Sequence, residues 1–180
     1  MAKKVIIIST SPRKNSNSNA LAENFAKGAA DAGNDVELIS LIGKKIDFCK
    51  GCFACQKIGH CIIKDDAIEI EQKVLHADVV VWATPIYYYE MSGQMKVMID
   101  RLNPLFSKDY QFRDVYLLAC AAEDEEYVPQ KAIEGVKGWV DCFEKAEFKD
   151  YVFCGGVNDA GDIAGNEKLQ AAYNMGYSLR

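Results

Sequence analysis

Hydrophobic residues in this chain form short runs that alternate with segments whose apolar residues share one helical face. Four apolar runs predict buried strands, because a strand covered on both faces has no polar side to present, and the short segment 36–39, which includes Glu37, predicts one more strand. The segments between them show the spacing of amphipathic helices. The predicted strands are residues 5–8, 36–39, 79–83, 115–120 and 151–154. The predicted helices are 20–32, one that a capping box of Asp66 and Glu69 begins, one with Met91, Met95, Met98, Ile99 and Leu102 on one face, 133–143 and 167–177.

Strand and helix alternate five times, which predicts an α/β fold: a doubly wound parallel sheet with helices on both faces. No linker-like stretch or repeat divides the sequence, so we expect one domain over residues 1–180. In such sheets ligands bind beyond the carboxyl ends of the strands. The loops after the first, third and fourth predicted strands are therefore the places to look for a site.

Composition narrows the functional classes. The chain has 180 residues, 49% of them hydrophobic, and a net charge of −5, which gives no support for nucleic-acid binding. No apolar run approaches the ~18 residues of a membrane span, and the apolar run at 5–8 is too short for a signal-peptide core. We therefore expect a cytoplasmic protein with no membrane partner, in which the seven cysteines stay reduced.

The loop from residue 9 to 18 joins the first strand to the first helix and is rich in hydroxyl, amide and guanidinium groups. A helix N-terminus attracts anions through its free N–H groups and its dipole. The loop lacks the glycines of a dinucleotide fingerprint or a P-loop, so a terminal monophosphate fits it best. The competing interpretation is that Ser16, Asn17 and Ser18 only cap the helix.

The loop after the third strand reads Thr84-Pro85-Ile86-Tyr87-Tyr88-Tyr89. Proline stiffens a turn, and tyrosines offer rigid, amphipathic surface to a flat ring. The alternative is that the tyrosines are an edge of the core with exposed hydroxyls. The loop after the fourth strand, 121–123, is expected to complete the same site.

Two motifs together resemble the NADPH-dependent FMN reductase family of the flavodoxin-like superfamily. They are Ser11-Pro12-Arg13 with Ser16-Asn17-Ser18, and the 84–89 segment with Ser92-Gly93-Gln94-Met95-Lys96 and Ile99-Asp100-Arg101. The resemblance implies a flavodoxin-like five-stranded sheet in the order 2-1-3-4-5. It also implies that the FMN phosphate is held by Ser9, Ser11, Arg13, Ser16, Asn17 and Ser18, and that the isoalloxazine ring is lined by Pro85, Ile86, Tyr87 and Tyr88.

Four cysteines lie within thirteen residues, as Cys49-x2-Cys52-x2-Cys55-x5-Cys61. Closely spaced thiolates can ligate a [4Fe-4S] cluster, and this spacing resembles that of iron–sulfur flavoproteins. A zinc site and a metal-free loop are the alternatives, and all three stay open on the sequence. The other three, Cys120, Cys142 and Cys154, are expected to be small core residues.

The function expected from these features is an FMN-dependent NAD(P)H:acceptor oxidoreductase, with a quinone, flavin or nitro-type small molecule as acceptor. Its chemistry would lie on flavin N5, so no catalytic side chain is assigned. The alternatives are an iron–sulfur flavoprotein electron carrier that takes electrons from ferredoxin, and a metal-binding regulatory module. The resemblance further implies a homo-dimer or homo-tetramer.

Overall fold

The computed structural model describes residues 1–179, which fold around a central parallel sheet. The sheet order is β2-β1-β3-β5-β6, and a short β4 pairs antiparallel with β3 off this path. With β4 set aside, this is the predicted order 2-1-3-4-5, and the flavodoxin-like α/β fold is confirmed. The strands are β1 (Lys4–Ser9), β2 (Asp35–Ser40), β3 (Val79–Tyr87), β4 (Glu90–Met91), β5 (Asp114–Cys120) and β6 (Glu147–Cys154).

Helices cover both faces of the sheet. They are α1 (Asn17–Asp31), α2 (Ala54–Ile58), α3 (Ala67–Leu75), α4 (Gly93–Arg101), α5 (Gln130–Val140) and α6 (Glu167–Tyr177), with a 3₁₀ helix at Asn103–Ser107. Apolar residues of α1 and α6 pack on one face, and those of α3, α4 and α5 pack on the other. The pleat of the strands explains the two cores. In β3, for example, Trp82 faces α3, α4 and α5, whereas Val81 faces α1 and α6.

Helices α1 and α6 cross at very close range, and two glycines permit it. A Cβ on Gly28 would lie 2.0 Å from the carbonyl oxygen of Tyr173. A Cβ on Gly176 would lie 2.1 Å from the carbonyl oxygen of Phe25. Any side chain at either position would push the two backbones apart, so the contact fixes where α1 lies against the sheet.

Two local predictions were wrong. Met91 belongs to β4, and α4 begins only at Gly93, with the Ser92 hydroxyl as its cap. Asp66 does not form the predicted capping box, because its carboxylate accepts a hydrogen bond from the Lys45 N–H at 2.6 Å. The neighbouring Asp65 accepts from the Ala67 N–H instead. Both errors arise where a long-range partner replaces the local one.

Within residues 1–179, every helix is too short or too polar to cross a bilayer.

Candidate functional site

A cavity of about 170 Å³ lies at the carboxyl ends of the central strands, against the N-terminus of α1. It is smaller than the roughly 300–1,000 Å³ of pockets that enclose a whole small ligand, so it would enclose part of a cofactor. We call it the flavin cavity. Its lining residues are Ser11, Arg13, Ser16, Asn17, Ser18, Pro85, Ile86, Tyr87, Cys120, Ala121, Ala122, Val157, Asn158 and Ala160.

The hydroxyl groups at the start of α1 have different roles. Ser16 is the N-cap, and its hydroxyl accepts a hydrogen bond from the Asn19 N–H at 3.2 Å. The Ser18 hydroxyl is buried in the cavity wall and has no hydrogen-bond partner within residues 1–179. No acidic residue occupies the first turn of α1. Capping therefore explains Ser16 only, and an orphaned hydroxyl at a positive helix end fits a phosphate.

Arg13 and Asn17 reach the loop that follows β6. The exposed Arg13 guanidinium donates to the Asn158 carbonyl oxygen at 2.7 Å. The Asn17 side chain donates to the Asp159 carbonyl oxygen and accepts from the N–H groups of Gly161 and Ile163. The Asn17 side chain is thus already engaged in holding this loop, and Arg13 bridges the rim of the cavity.

Three buried hydroxyls to which the sequence assigned no role join the two predicted loops. The Thr10 hydroxyl donates to the Ala83 carbonyl oxygen at 2.9 Å and lies 3.0 Å from the Ser92 hydroxyl. The Thr84 hydroxyl accepts from the Ser92 N–H. Hydroxyl residues at the ends of two neighbouring parallel strands are the signal that could have found this network. It holds the 9–18 loop in register with the 84–89 loop.

The 84–89 segment is only partly the predicted loop: residues 84–87 continue β3, and the segment ends in a strained turn. Tyr87 and Glu90 pair across β3 and β4, and the two residues between them, Tyr88 and Tyr89, have φ of 51° and 66°. A two-residue hairpin turn of this kind usually takes Asn-Gly, because a Cβ is disfavoured in the left-handed region. Tyrosines at both positions, beside a ligand cavity, place the strain where aromatic surface is presented.

Tyr89 is fixed by the acidic loop after β5. Its hydroxyl donates to the Glu123 carboxylate at 3.0 Å, and its ring stacks on Tyr127 with a centroid distance of 6.0 Å. The hydrogen bond and the charge of Glu123 raise the pKa of the Tyr89 phenol above 10.0. Tyr89 therefore stays protonated at neutral pH and continues to donate this bond. Glu123 accepts this hydrogen bond and does not line the flavin cavity, whereas Ala121 and Ala122 do.

The structure brings most of the predicted cofactor residues to one cavity and leaves two outside its lining. Ser9 is the buried last residue of β1, paired with Ser40 and Ala83 in the sheet. Tyr88 is 99% exposed at the turn. Val157, Asn158 and Ala160 also line the cavity, and no sequence signal selected them, because they follow the edge strand β6.

Replacing Ser18 with alanine is expected to weaken FMN binding by about 10-fold to 100-fold, the loss of one hydrogen bond to a charged group. The unfolding free energy of the flavin-free protein should not fall, because the hydroxyl has no partner in the chain. Ser16→Ala is the matched control, since removing an N-cap costs about 1 kcal/mol of stability. FMN titration and urea denaturation measure the two effects. Unchanged FMN affinity in Ser18→Ala would remove Ser18 from the site.

A second cavity, of about 430 Å³, lies at the segment that carries Cys49, Cys52, Cys55 and Cys61. We call this segment the cysteine loop and the cavity the cysteine cavity. All four closely spaced cysteines line it, together with aromatic side chains. The aromatic lining residues are Phe53, Phe106, Trp139 and Phe143. Four thiols that share one largely apolar cavity match in kind the ligands of an iron–sulfur cluster.

Two of these sulfurs receive hydrogen bonds from N–H groups. The Asn103 amide lies 3.1 Å from the buried Cys55 sulfur, and the Gly51 N–H lies 3.5 Å from the Cys49 sulfur. Within residues 1–179, however, no three His, Cys, Asp or Glu side chains form a metal-binding group. The loop would have to draw its sulfurs together around a metal, and the metal assignment stays a prediction.

The base of the cysteine loop is closed by a buried ion pair. Arg101 donates to both carboxylate oxygens of Asp65 and to the carbonyl oxygens of Asp47 and Ile63. Burial alone would raise the pKa of Asp65, but the Arg101 bond and the Asp47 and Ala67 N–H groups hold it below 3.8. Arg101 thus joins the two ends of the loop.

Cys142 contradicts its predicted place in the core. It is exposed and lines the cysteine cavity, whereas Cys120 and Cys154 are buried as predicted. Cys142 follows the end of α5, and its apolar sequence neighbours Val140 and Phe143 take the inward positions.

The family model described as NADPH-dependent FMN reductase matches residues 3–128. An iron-sulfur flavoprotein of Archaeoglobus fulgidus is 37% identical over 101 residues, covering 56% of this chain and 46% of that protein. Bacillus subtilis YwqN, whose name describes an NAD(P)H-dependent FMN-containing oxidoreductase, is 27% identical over 177 residues, 94% of this chain and 93% of that one. The chain spans about half the length of this iron-sulfur flavoprotein and of a related one from Methanocaldococcus jannaschii.

Among solved structures, an NAD(P)H:quinone oxidoreductase from Methanothermobacter marburgensis superposes with a TM-score of 0.80 at 17% identity. The superposition covers 100% of this chain and 97% of that one. At this identity the likeness establishes the fold, and the roles of individual residues depend on the geometry described above.

Proposed function

Since the chain belongs to the NADPH-dependent FMN reductase family, we propose that it is an FMN-dependent oxidoreductase that passes electrons from NAD(P)H to a small-molecule acceptor. The observation that carries this proposal is the flavin cavity. It combines the orphaned Ser18 hydroxyl and the N-terminus of α1 with the apolar wall of Pro85 and Ile86. A phosphate and a flat ring are the two parts of FMN that such a cavity would take.

Each part of the chain has a defined task in this reaction. The α1 N-terminus, Ser11 and Ser18 would bind the phosphate, with Arg13 at the rim. Pro85, Ile86 and Tyr87 would orient the ring, and the Thr10–Ser92–Thr84 hydroxyls keep the two loops at a fixed separation. When bound, the flavin supplies the redox chemistry itself, so the protein needs no side-chain acid or base. The exposed ring of Tyr88 offers a surface against which an aromatic acceptor of quinone, flavin or nitro type would stack.

Reduction of the purified protein by a nicotinamide cofactor tests this function. We expect the protein to be yellow, and its visible absorbance to bleach on anaerobic addition of NADH or NADPH. A quinone added afterwards should restore the absorbance. A flavin-loaded protein that stays oxidised under an excess of both cofactors would refute the reductase function while leaving the FMN site in place.

A second candidate function is supported by the cysteine cavity. Here the chain would be an electron carrier in which Cys49, Cys52, Cys55 and Cys61 hold a [4Fe-4S] cluster and ferredoxin is the electron donor. The convergence of four cysteines on one cavity, with N–H donors at two of the sulfurs, favours this candidate over a metal-free loop. The cluster would supply one-electron transfer when bound.

Iron analysis distinguishes these interpretations. If the cluster is present, protein purified without oxygen should contain about four irons per chain, and Cys52→Ser should lose them. Cys142→Ser is the matched control, because Cys142 lines the same cavity and should leave the iron content unchanged. One zinc per chain would favour the regulatory module, and no metal in protein handled without oxygen would favour the plain reductase.

We also propose a homo-dimer or homo-tetramer in the cytoplasm. Large apolar side chains are exposed around the cysteine loop, among them Phe48 at 77%, Phe53 at 58% and Phe106 at 60%. Such a patch is usually covered by a partner surface. All seven cysteines are free thiols, which suits a reducing compartment.

A further inference from the structure

Two buried cysteines take no part in the functions proposed above, yet they lie side by side. Cys120 is the last residue of β5 and Cys154 the last residue of β6, and the two are direct partners in the parallel register. Both side chains point to the sheet face covered by α1 and α6, and they are 4% and 1% exposed. Both are free thiols.

The register places the two Cα atoms within the range that a disulfide spans. Neighbouring strands are about 4.8 Å apart, and a disulfide spans Cα separations of about 4.4–6.8 Å. The two side chains lie on the same face of the sheet as direct register partners. Interaction with Cys154 and burial raise the pKa of the Cys120 thiol, and interaction with Cys120 lowers the pKa of Cys154.

The pair is reached from the flavin cavity. Cys120 lines that cavity beside Pro85, Ile86 and Tyr87. Cys154 is not among the lining residues, and it donates a weak hydrogen bond to the Gly155 carbonyl oxygen at 3.7 Å. The cysteine cavity has a separate set of lining residues, so the two groups of thiols are independent.

We propose that Cys120 and Cys154 are a redox-active dithiol pair, which a small thiol oxidant entering the flavin cavity converts to a disulfide across β5 and β6. With diamide as the oxidant, the thiolate of one cysteine adds to the N=N bond. The second sulfur then attacks the first and displaces the hydrazine. One S–S bond forms, two S–H bonds break, and two electrons and two protons pass to the diazene. The cavity wall formed by Cys120 thereby responds to thiol oxidation.

Peptide mapping of the full chain tests the disulfide. The flavin-free protein is treated with diamide, denatured, alkylated and digested with trypsin. We expect a cross-linked species that joins peptides 114–131 and 150–168 and is lost on reduction with dithiothreitol. Cys120→Ala should abolish it and leave Cys154 alkylated, whereas Cys142→Ala should retain it. The proposal is overturned if the exposed cysteines oxidise while these two peptides remain separately alkylated.

A second arm tests the route and depends on the proposed FMN site. If bound FMN covers Cys120, free FMN at one hundred times its Kd should slow the cross-linking about 100-fold. FMN that binds, as its spectrum shows, without slowing the reaction would overturn access through the cavity. If FMN does not bind at all, the proposed function fails, and the cross-link in flavin-free protein still decides the fate of the dithiol pair.

Discussion

Arg101→Met is expected to destabilise the protein by about 3–5 kcal/mol, the usual cost of removing one partner from a buried ion pair. The guanidinium side chain is 0% exposed and the Asp65 side chain 7%, so the variant leaves a buried carboxylate without its counter-charge. It also removes the donors to the Asp47 and Ile63 carbonyl oxygens. Urea denaturation measures the loss.

A surface ion pair on the same helix provides the control. Lys96 and Asp100 form an exposed i,i+4 pair on α4, and Lys96→Met should change stability by less than about 1 kcal/mol. A double variant, Arg101→Met with Asp65→Asn, should recover part of the loss because no unpaired charge remains. If Arg101→Met lowers the free energy of unfolding by no more than Lys96→Met, the Arg101–Asp65 pair contributes no more than a surface contact.

The pH dependence follows from the lowered pKa of Asp65. A carboxyl whose folded pKa lies below its unfolded value contributes stability above the unfolded pKa, and that contribution is lost as pH falls through the folded pKa. The Asp65 contribution should therefore be complete at neutral pH and decline below about pH 4. The Arg101 variant should lose less stability than the parent over this acidic range.

The same substitution should loosen the cysteine loop before the protein unfolds. Arg101 joins positions 47, 63 and 65, so without it the loop between them has lost its closing contacts. Trypsin should then cut faster at Lys50, Lys57 and Lys64. Equal cleavage rates in the parent and the variant would show that other contacts close the loop.

Gly28→Ala is expected to cost about 3 kcal/mol, because a methyl group at this position meets backbone that cannot move aside. The added Cβ would lie 2.0 Å from the Tyr173 carbonyl oxygen, so α1 and α6 must separate. Since the proposed phosphate site lies at the N-terminus of α1, FMN affinity should fall with stability. Urea denaturation and FMN titration measure both effects.

Gly138→Ala provides the matched control for helix propensity. Gly138 lies within α5, and a Cβ there would have no neighbour within 4 Å. Alanine is the better helix former, so this variant should gain about 0.5–1 kcal/mol. The same change should thus have opposite signs at the two positions. A Gly28→Ala variant as stable as the parent would mean that the helices do not cross so closely.

Function and stability are opposed at two places in the flavin site. Ser18 leaves a hydroxyl unpaired in the wall, and Tyr88 and Tyr89 occupy backbone conformations that suit glycine or asparagine. Each costs free energy that a purely structural sequence would avoid, and each lies where a ligand would meet it. These local conflicts support the site independently of family membership.

The sequence by itself determined the order of the five main strands and the helices between them, and it pointed to the two loops of the proposed flavin site. Runs such as Val79–Val81 could only be buried strands, and polar groups collected after the first strand could only lie at a helix N-terminus, since both signals come from neighbours in the chain. The N-cap of α4 and the partner of Asp66 were missed because distant residues, β3 and Lys45, decided them.

Tertiary structure alone decided which distant groups meet. It moved Cys142 from the predicted core to the cysteine cavity, left Ser9 within the sheet, and added Val157, Asn158 and Ala160 to the proposed flavin site. It also buried Arg101 against Asp65 and set Cys120 beside Cys154. The register of strands and the crossing of helices depend on packing between segments far apart in the chain, and no local pattern of hydrophobic and polar residues encodes that packing.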